Sequence, residues 1–244
     1  MANGMTRREF ATAAGATALA AHGFGARAED AKKTLRFIAQ SDLRVLDPIW
    51  TTAYITRNHG YMVFDTLFAI DAEFAPHPQM VGEHAISPDK LTYQFKLRDG
   101  LGFHDGSPVR GVDCVASVKR WMARDGHGQA LAGVLDDIKP DGDNGFTIKL
   151  KEPFALLLDG IGKVSSLALF VMPERLAKTD PFQQVTEMVG SGRSNSSRTS
   201  SNRATVSSTS RTPTMCRATN RRAGPRAVRW SRWIGSSGSI SQTR

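Results

Sequence analysis

The sequence predicts an α+β fold for residues 29–192. Three observations predict it: two segments of strict apolar/polar alternation, a stretch of helical apolar spacing between them, and no regular strand–helix–strand repeat that would build a parallel sheet. The flanks are different in kind. Residues 1–28 read as an export leader, and residues 193–244 as a tail dominated by Ser, Thr and Arg.

The leader has three parts in the expected order. Arg7 and Arg8 stand in "TRREF", a mild Ala-rich apolar run extends from Phe10 to Phe24, and "ARA" places Ala26 and Ala28 as a small-x-small cleavage signal. The paired arginines followed by Phe10 resemble the twin-arginine class. The apolar run is too short to span a bilayer. No Leu-x-x-Cys lipid-attachment pattern precedes residue 29, so a soluble periplasmic product is expected.

Within the body, "TLRFIAQ" (34–40) alternates as a plausible first strand. In "LDPIWTTAY", Pro48 disfavours helix at Asp47, which predicts a loop. "ITRNHGYMVFDTLF" (55–68) has near-helical spacing, with Gly60 its weak spot. "LTYQFKLRDG" puts Leu91, Tyr93, Phe95 and Leu97 on one face of a strand that ends in an Asp-Gly turn. "VDCVASVKRWMARDGHG" is helical, with Val115, Val118 and Met122 in one stripe and Gly126 as its stop. After the turn signal "DGDNG", Phe146, Ile148 and Leu150 repeat the strand pattern.

Charge divides the chain at the same boundary as composition. The tail holds 11 Arg and no Lys, Asp or Glu, so of the formal +9 residues 1–192 account for −2 (the +9 of the whole less the +11 of the tail). The tail has 13 Ser and 7 Thr and lacks Leu, Phe and Tyr, so it cannot bury enough apolar surface to offset its ordering entropy and is expected to be disordered. An alternative function, nucleic-acid binding through those arginines with Trp230 and Trp233, lacks a folded reader module. Cys114 in the body and Cys216 in the tail show no metal or redox spacing, and Cys114 falls in the helical pattern, as a small buried residue would. His104-Asp105 resembles a base and its orienting carboxylate, but in "FHDG" a turn in which Asp105 bonds its own backbone is the simpler reading. The body histidines never take metal-ligand spacing, and phosphate loops, dinucleotide fingerprints and Gly-x-Ser-x-Gly are missing. No enzyme activity, metal or cofactor is expected.

The stretch "AISPDKLTYQFKLRDGLGFHDGSPVRGVDCVASVKRW" resembles the signature of the family 5 extracellular solute-binding proteins, the periplasmic receptors of peptide, nickel and related ATP-driven importers. "LDPIWTTAY" resembles the family's first cleft loop, and "VGSG" the point where its inserted domain rejoins the first lobe. The chain departs from the pattern at Gly102 and at Arg110, where a Thr helix cap is usual; losing that cap should cost about 1 kcal/mol. The resemblance implies the N-terminal part of a two-lobe periplasmic-binding-protein fold: residues 29–60 starting lobe I, an inserted small domain over 61–185, and a return at 186–192. It implies a peptide-like small organic solute, a membrane permease as partner and a monomer. Thr52, Ala53 and Tyr54 become the candidate ligand-binding residues. The second lobe should follow residue 192, and the sequence there does not resemble one. Without it, residues 34–60 are expected to be poorly placed and 61–185 to hold a marginal fold.

The genetic code suggests a reason. If one base is missing near the Gly192 codon, each restored codon takes its last two bases from the first two of a tail codon. Those are largely dictated by the residue observed: Ser written TCN restores Phe, Leu, Ile or Val. Restoring one C, with wobble bases chosen, gives 52 codons without a stop, including the alternating segments "FKFVKDEF", "NRVVYVKN" and "VDRVEWIYI". The tail is therefore expected to be an out-of-frame translation.

Overall fold

The computed structural model describes residues 39–198 and 204–207, so the leader residues Arg7, Arg8, Ala26 and Ala28 and most of the expected first strand lie outside the described residues. The chain divides into two units at Ala39/Gln40, and every element below belongs to the second. In chain order these are α1 (Tyr54–Val63), β1 (Phe68–Ile70), β2 (Pro76–Pro78), β3 (Val81–Ile86), β4 (Thr92–Leu97), α2 (Gly111–Met122), α3 (Gly126–Val134), β5 (Leu135–Pro140), β6 (Gly145–Leu150), α4 (Leu157–Gly162), α5 (Glu174–Ala177), β7 (Asn195–Arg198) and β8 (Ala204–Ser207).

The two alternating segments form neighbouring strands of one antiparallel sheet, ordered β3-β4-β6-β5. Their apolar faces coincide because the register pairs Tyr93 with Ile148 and Phe95 with Phe146. The Phe95 and Phe146 rings stack at 4.8 Å between centroids. Both are buried, together with Leu97, Ile148 and Leu150, and helix α2 covers that face with Cys114, Val115, Val118, Trp121 and Met122. Truncating either Phe to Ala would cost about 3–5 kcal/mol. A second, smaller core joins Val63 and Phe64 at the end of α1 to Ala116 of α2, and to Phe170, Met172, Leu176 and Val185. Helix α2 thus has apolar residues on two sides.

The start of α2 is set by the turn before β6. The Gly111 amide donates to the Asp143 carbonyl at 2.8 Å, and a Cβ on Gly111 would lie 1.9 Å from the Gly145 carbonyl oxygen. Arg110 is the extended N-cap residue and contributes no side-chain cap bond, as expected. The capping is half retained, because the Asp113 carboxylate accepts the Arg110 backbone N–H at 2.8 Å.

Several boundaries differ from expectation. Gly126 does not end the helix: α2 stops at Met122, and Asp125 caps a new helix by accepting the amides of His127 and Gly128 at 3.0 and 3.1 Å. The helix expected through Phe68 ends at Val63, since Asp65 pairs with Val171 and Phe68 opens β1. Gly60 lies inside α1, which runs through the boundary drawn between residues 60 and 61. Residues 46–60 are not poorly placed, for Leu46, Asp47, Ile49, Thr56 and His59 are all buried. In the tail, where disorder is expected, β7 and β8 pair antiparallel through backbone bonds that need no apolar side chains; the remaining tail residues lie outside the described residues.

Candidate functional site

The Leu-Asp-Pro turn delivers the candidate ligand loop. Asp47 is fully buried, its Oδ1 accepts the Ile49 amide at 3.2 Å, and its carbonyl accepts the Trp50 amide at 3.2 Å. This turn buries Leu46 and Ile49 and leaves the next residues outward. Thr51 Oγ1 then accepts the Ala53 amide at 3.2 Å, ahead of α1. Thr52, Ala53 and Tyr54, the candidate ligand-binding residues, are all exposed. Tyr54 is 58% exposed, and the Arg57 guanidinium lies 4.5 Å from its ring centre. The facing segment is Lys163–Ser166: Ser166 Oγ donates to the Thr52 carbonyl at 2.8 Å, and Arg57 Nη1 to the Val164 carbonyl at 3.3 Å. Beside the loop, Arg124 lies between the rings of Trp50 and Phe182, at 5.1 and 5.0 Å, and donates to the Trp50 carbonyl at 3.3 Å.

A buried ion pair holds the loop from behind. Arg120 Nη2 lies 2.8 Å from Asp47 Oδ2, with the two side chains 2% and 0% exposed. The same guanidinium donates to the carbonyls of Thr179, Asp180 and Gln183, while Asp47 Oδ2 also accepts the Val185 amide at 2.9 Å. Sequence reasoning placed both residues in motifs but missed their contact, since 73 positions separate them and no periodicity links them.

The "VGSG" return lies against the end of α1 and the "FHDG" turn. Gly192 N and Ser194 N donate to the carbonyls of Val63 and Met62 at 2.8 and 3.0 Å. His104 Nδ1 accepts the Gly190 amide at 3.4 Å and Nε2 donates to the Gly192 carbonyl at 2.7 Å, which requires the Nε2–H tautomer. His104 therefore brackets backbone and has no free nitrogen for base chemistry. Asp105 accepts the Ser107 amide and hydroxyl and pairs with Arg175 Nη2 at 3.2 Å, while Gly106 takes φ +86°, as an Asp-Gly turn requires. Those bonds hold the Asp105 carboxyl below its usual range, the Ser107 hydroxyl first among them.

His59 on α1 is buried, with Nε2 3.0 Å from Ser196 Oγ of β7. Burial lowers its pKa to about 4. Burial likewise raises the Cys114 thiol far above its ordinary value, which leaves it unreactive. Among the described residues no group of three His, Cys, Asp or Glu is placed to hold a metal ion, and no helix is long and apolar enough to cross a membrane. A surface hollow of about 450 Å³ over β3 and β4, lined by Glu83, His84, Gln94 and Lys96, includes none of Thr52, Ala53 and Tyr54.

Residues 75–193 match the bacterial extracellular solute-binding proteins, family 5 middle. Over 165 residues the chain is 47% identical to a probable peptide ABC transporter periplasmic-binding protein of Sinorhizobium fredii, which covers 66% of this chain and 30% of the relative. Among solved structures, NikA from Brucella suis in complex with Fe(III)-EDTA superposes with TM-score 0.57 at 19% identity, over 68% of this chain and 33% of that one. The oligopeptide-binding protein AppA from Bacillus subtilis, in complex with a nonapeptide, gives 0.56 at 16% identity, over 67% and 33%. The fold is thus the N-terminal part of the two-lobe periplasmic-binding architecture, and the chain spans about a third of the length of the relatives it matches.

Proposed function

Because residues 75–193 match the family 5 extracellular solute-binding proteins, we propose that the chain belongs to that family, derives from the periplasmic receptor of an ATP-driven importer and binds a peptide-like small organic solute. The observation that carries this reading is the 47% identity to a peptide transporter's periplasmic-binding protein across most of the body. The receptor would act as a monomer. Its two lobes would close by a hinge motion on the solute, and the closed form would dock on a membrane permease. The reading is of a binding protein and not of a catalyst. The leader with Arg7, Arg8, Ala26 and Ala28 supports export to the periplasm.

In this reading Thr52, Ala53 and Tyr54 form one wall of the cleft: Thr52 and Ala53 offer backbone and hydroxyl groups, and Tyr54 an aromatic surface. The opposite wall belongs to the second lobe, encoded in the frame abandoned after Gly192. The family match ends at residue 193, where the composition changes, and this coincidence supports a lost base at that point.

The test is calorimetry with a mixed-peptide library on two proteins, the chain as given and one whose gene has a single base restored at codon 193. The restored protein should bind peptide and gain about 2.7 kcal/mol of stability at a hundred times Kd, while the given chain shows neither effect. A folded, restored protein that binds no peptide would refute the proposed solute class.

A further inference from the structure

We infer that Asp47 and Arg120 are positioning residues that latch the candidate ligand loop to the segment Thr179–Val185, just ahead of the "VGSG" return. This rests on the reading of Thr52–Tyr54 as a cleft wall. Three chain segments meet at the pair: the turn that delivers the loop, the last turn of α2, and Thr179–Val185 ahead of the "VGSG" return. Asp47 Oδ2 touches two of them at once, 2.8 Å from Arg120 Nη2 and 2.9 Å from the Val185 amide. The guanidinium extends the latch to the carbonyls of Asp180 and Gln183, at 3.0 and 2.9 Å.

A buried ion pair is a poor device for stability alone, because a well-packed apolar pair of similar volume serves as well or better. What an apolar pair cannot supply is direction. Here the charges fix backbone amides and carbonyls on both flanking segments, so the loop's position becomes tied to that of Thr179–Val185. Arg124, two residues beyond the end of α2, repeats the link at the rim, with its guanidinium over both the ring of Trp50 in the loop and that of Phe182 in the segment ahead of the return.

The test is hydrogen exchange of backbone amides in the chain as it stands, which needs no ligand and is independent of the solute assignment. Two variants are compared with the parent. In Asp47→Leu/Arg120→Met the pair becomes apolar. Amides of Ile49–Ala53 and of Gln183–Val185 should then exchange at least about tenfold faster, while those of Phe95, Phe146 and Ile148 in the sheet keep parental rates. Arg120→Lys keeps a charge for Asp47 but cannot span three carbonyls, so it should accelerate Gln183–Val185 more than Ile49. Parental exchange at Ile49–Ala53 in the double variant would overturn the inference. Equal acceleration of sheet and loop would overturn it too, by showing the pair to be general core support.

Discussion

His59 shows how one residue couples burial to pH. Its ordinary pKa of 6.5 falls to about 4 because the charged ring would lose its hydration inside the fold. The unfolded chain therefore binds a proton that the folded chain refuses. Stability from the neutral ring is complete above about pH 6.5 and is lost as pH falls towards 4, by up to about 3 kcal/mol. Urea unfolding from pH 7 to 4 should show this slope, and His59→Phe should flatten it over that window. Residue identities alone reveal little of this. His59 sits in a helical pattern whose period is legible, but its ring bonds Ser196 of β7, from the segment where disorder is expected. His104 was equally opaque. "FHDG" declares its turn through Asp105 and Gly106, yet the role of the ring becomes visible only when residues 86 and 88 positions away arrive beside it.

At the scale of elements, alternation was the most readable signal. Strands β4 and β6 lie where the period-two pattern puts them: β4 alternates core and solvent, and β6 keeps Phe146, Ile148 and Leu150 on the core although Thr147 on its other face is buried too. The helices were legible in kind but not in extent. A cap such as Asp125 or a bridge such as Asp65 with Val171 decides where each one ends, and both overrode the glycines on which a sequence reading relies. The candidate loop was readable as a loop from Pro48, and its exposure agrees with the role proposed for it; the buried pair behind it was not. The return segment makes the sharpest prediction at this scale. A Cβ on Gly190 would lie 2.1 Å from the Val63 carbonyl oxygen, so α1 and "VGSG" cannot keep their approach if a side chain is added. Gly190→Ala should cost about 1–3 kcal/mol in urea unfolding and weaken the His104 bracket. A variant of parental stability would show that the crossing has room to shift.

At the scale of the whole molecule, a weakly acidic body that matches the family 5 solute-binding proteins over residues 75–193 and an arginine-rich tail are joined at one residue. The body alone explains the fold: a sheet and helix α2 enclose one core, α1 and the return segment close a second, and a buried ion pair ties the candidate loop to both flanking segments. For the tail we propose a change of reading frame, which would make its basic character a by-product of the shifted codons. The measurement that tests this most directly is nucleotide sequencing of the gene on genomic DNA, from the codon for Val189 through several hundred codons beyond Gly192. The account predicts that one added base near codon 193 opens a frame without stops, encoding alternating strands that continue the solute-binding pattern. A stop codon in that shifted frame within the 52 codons of the tail would contradict it and would leave the Ser/Arg segment as a product of its own evolution.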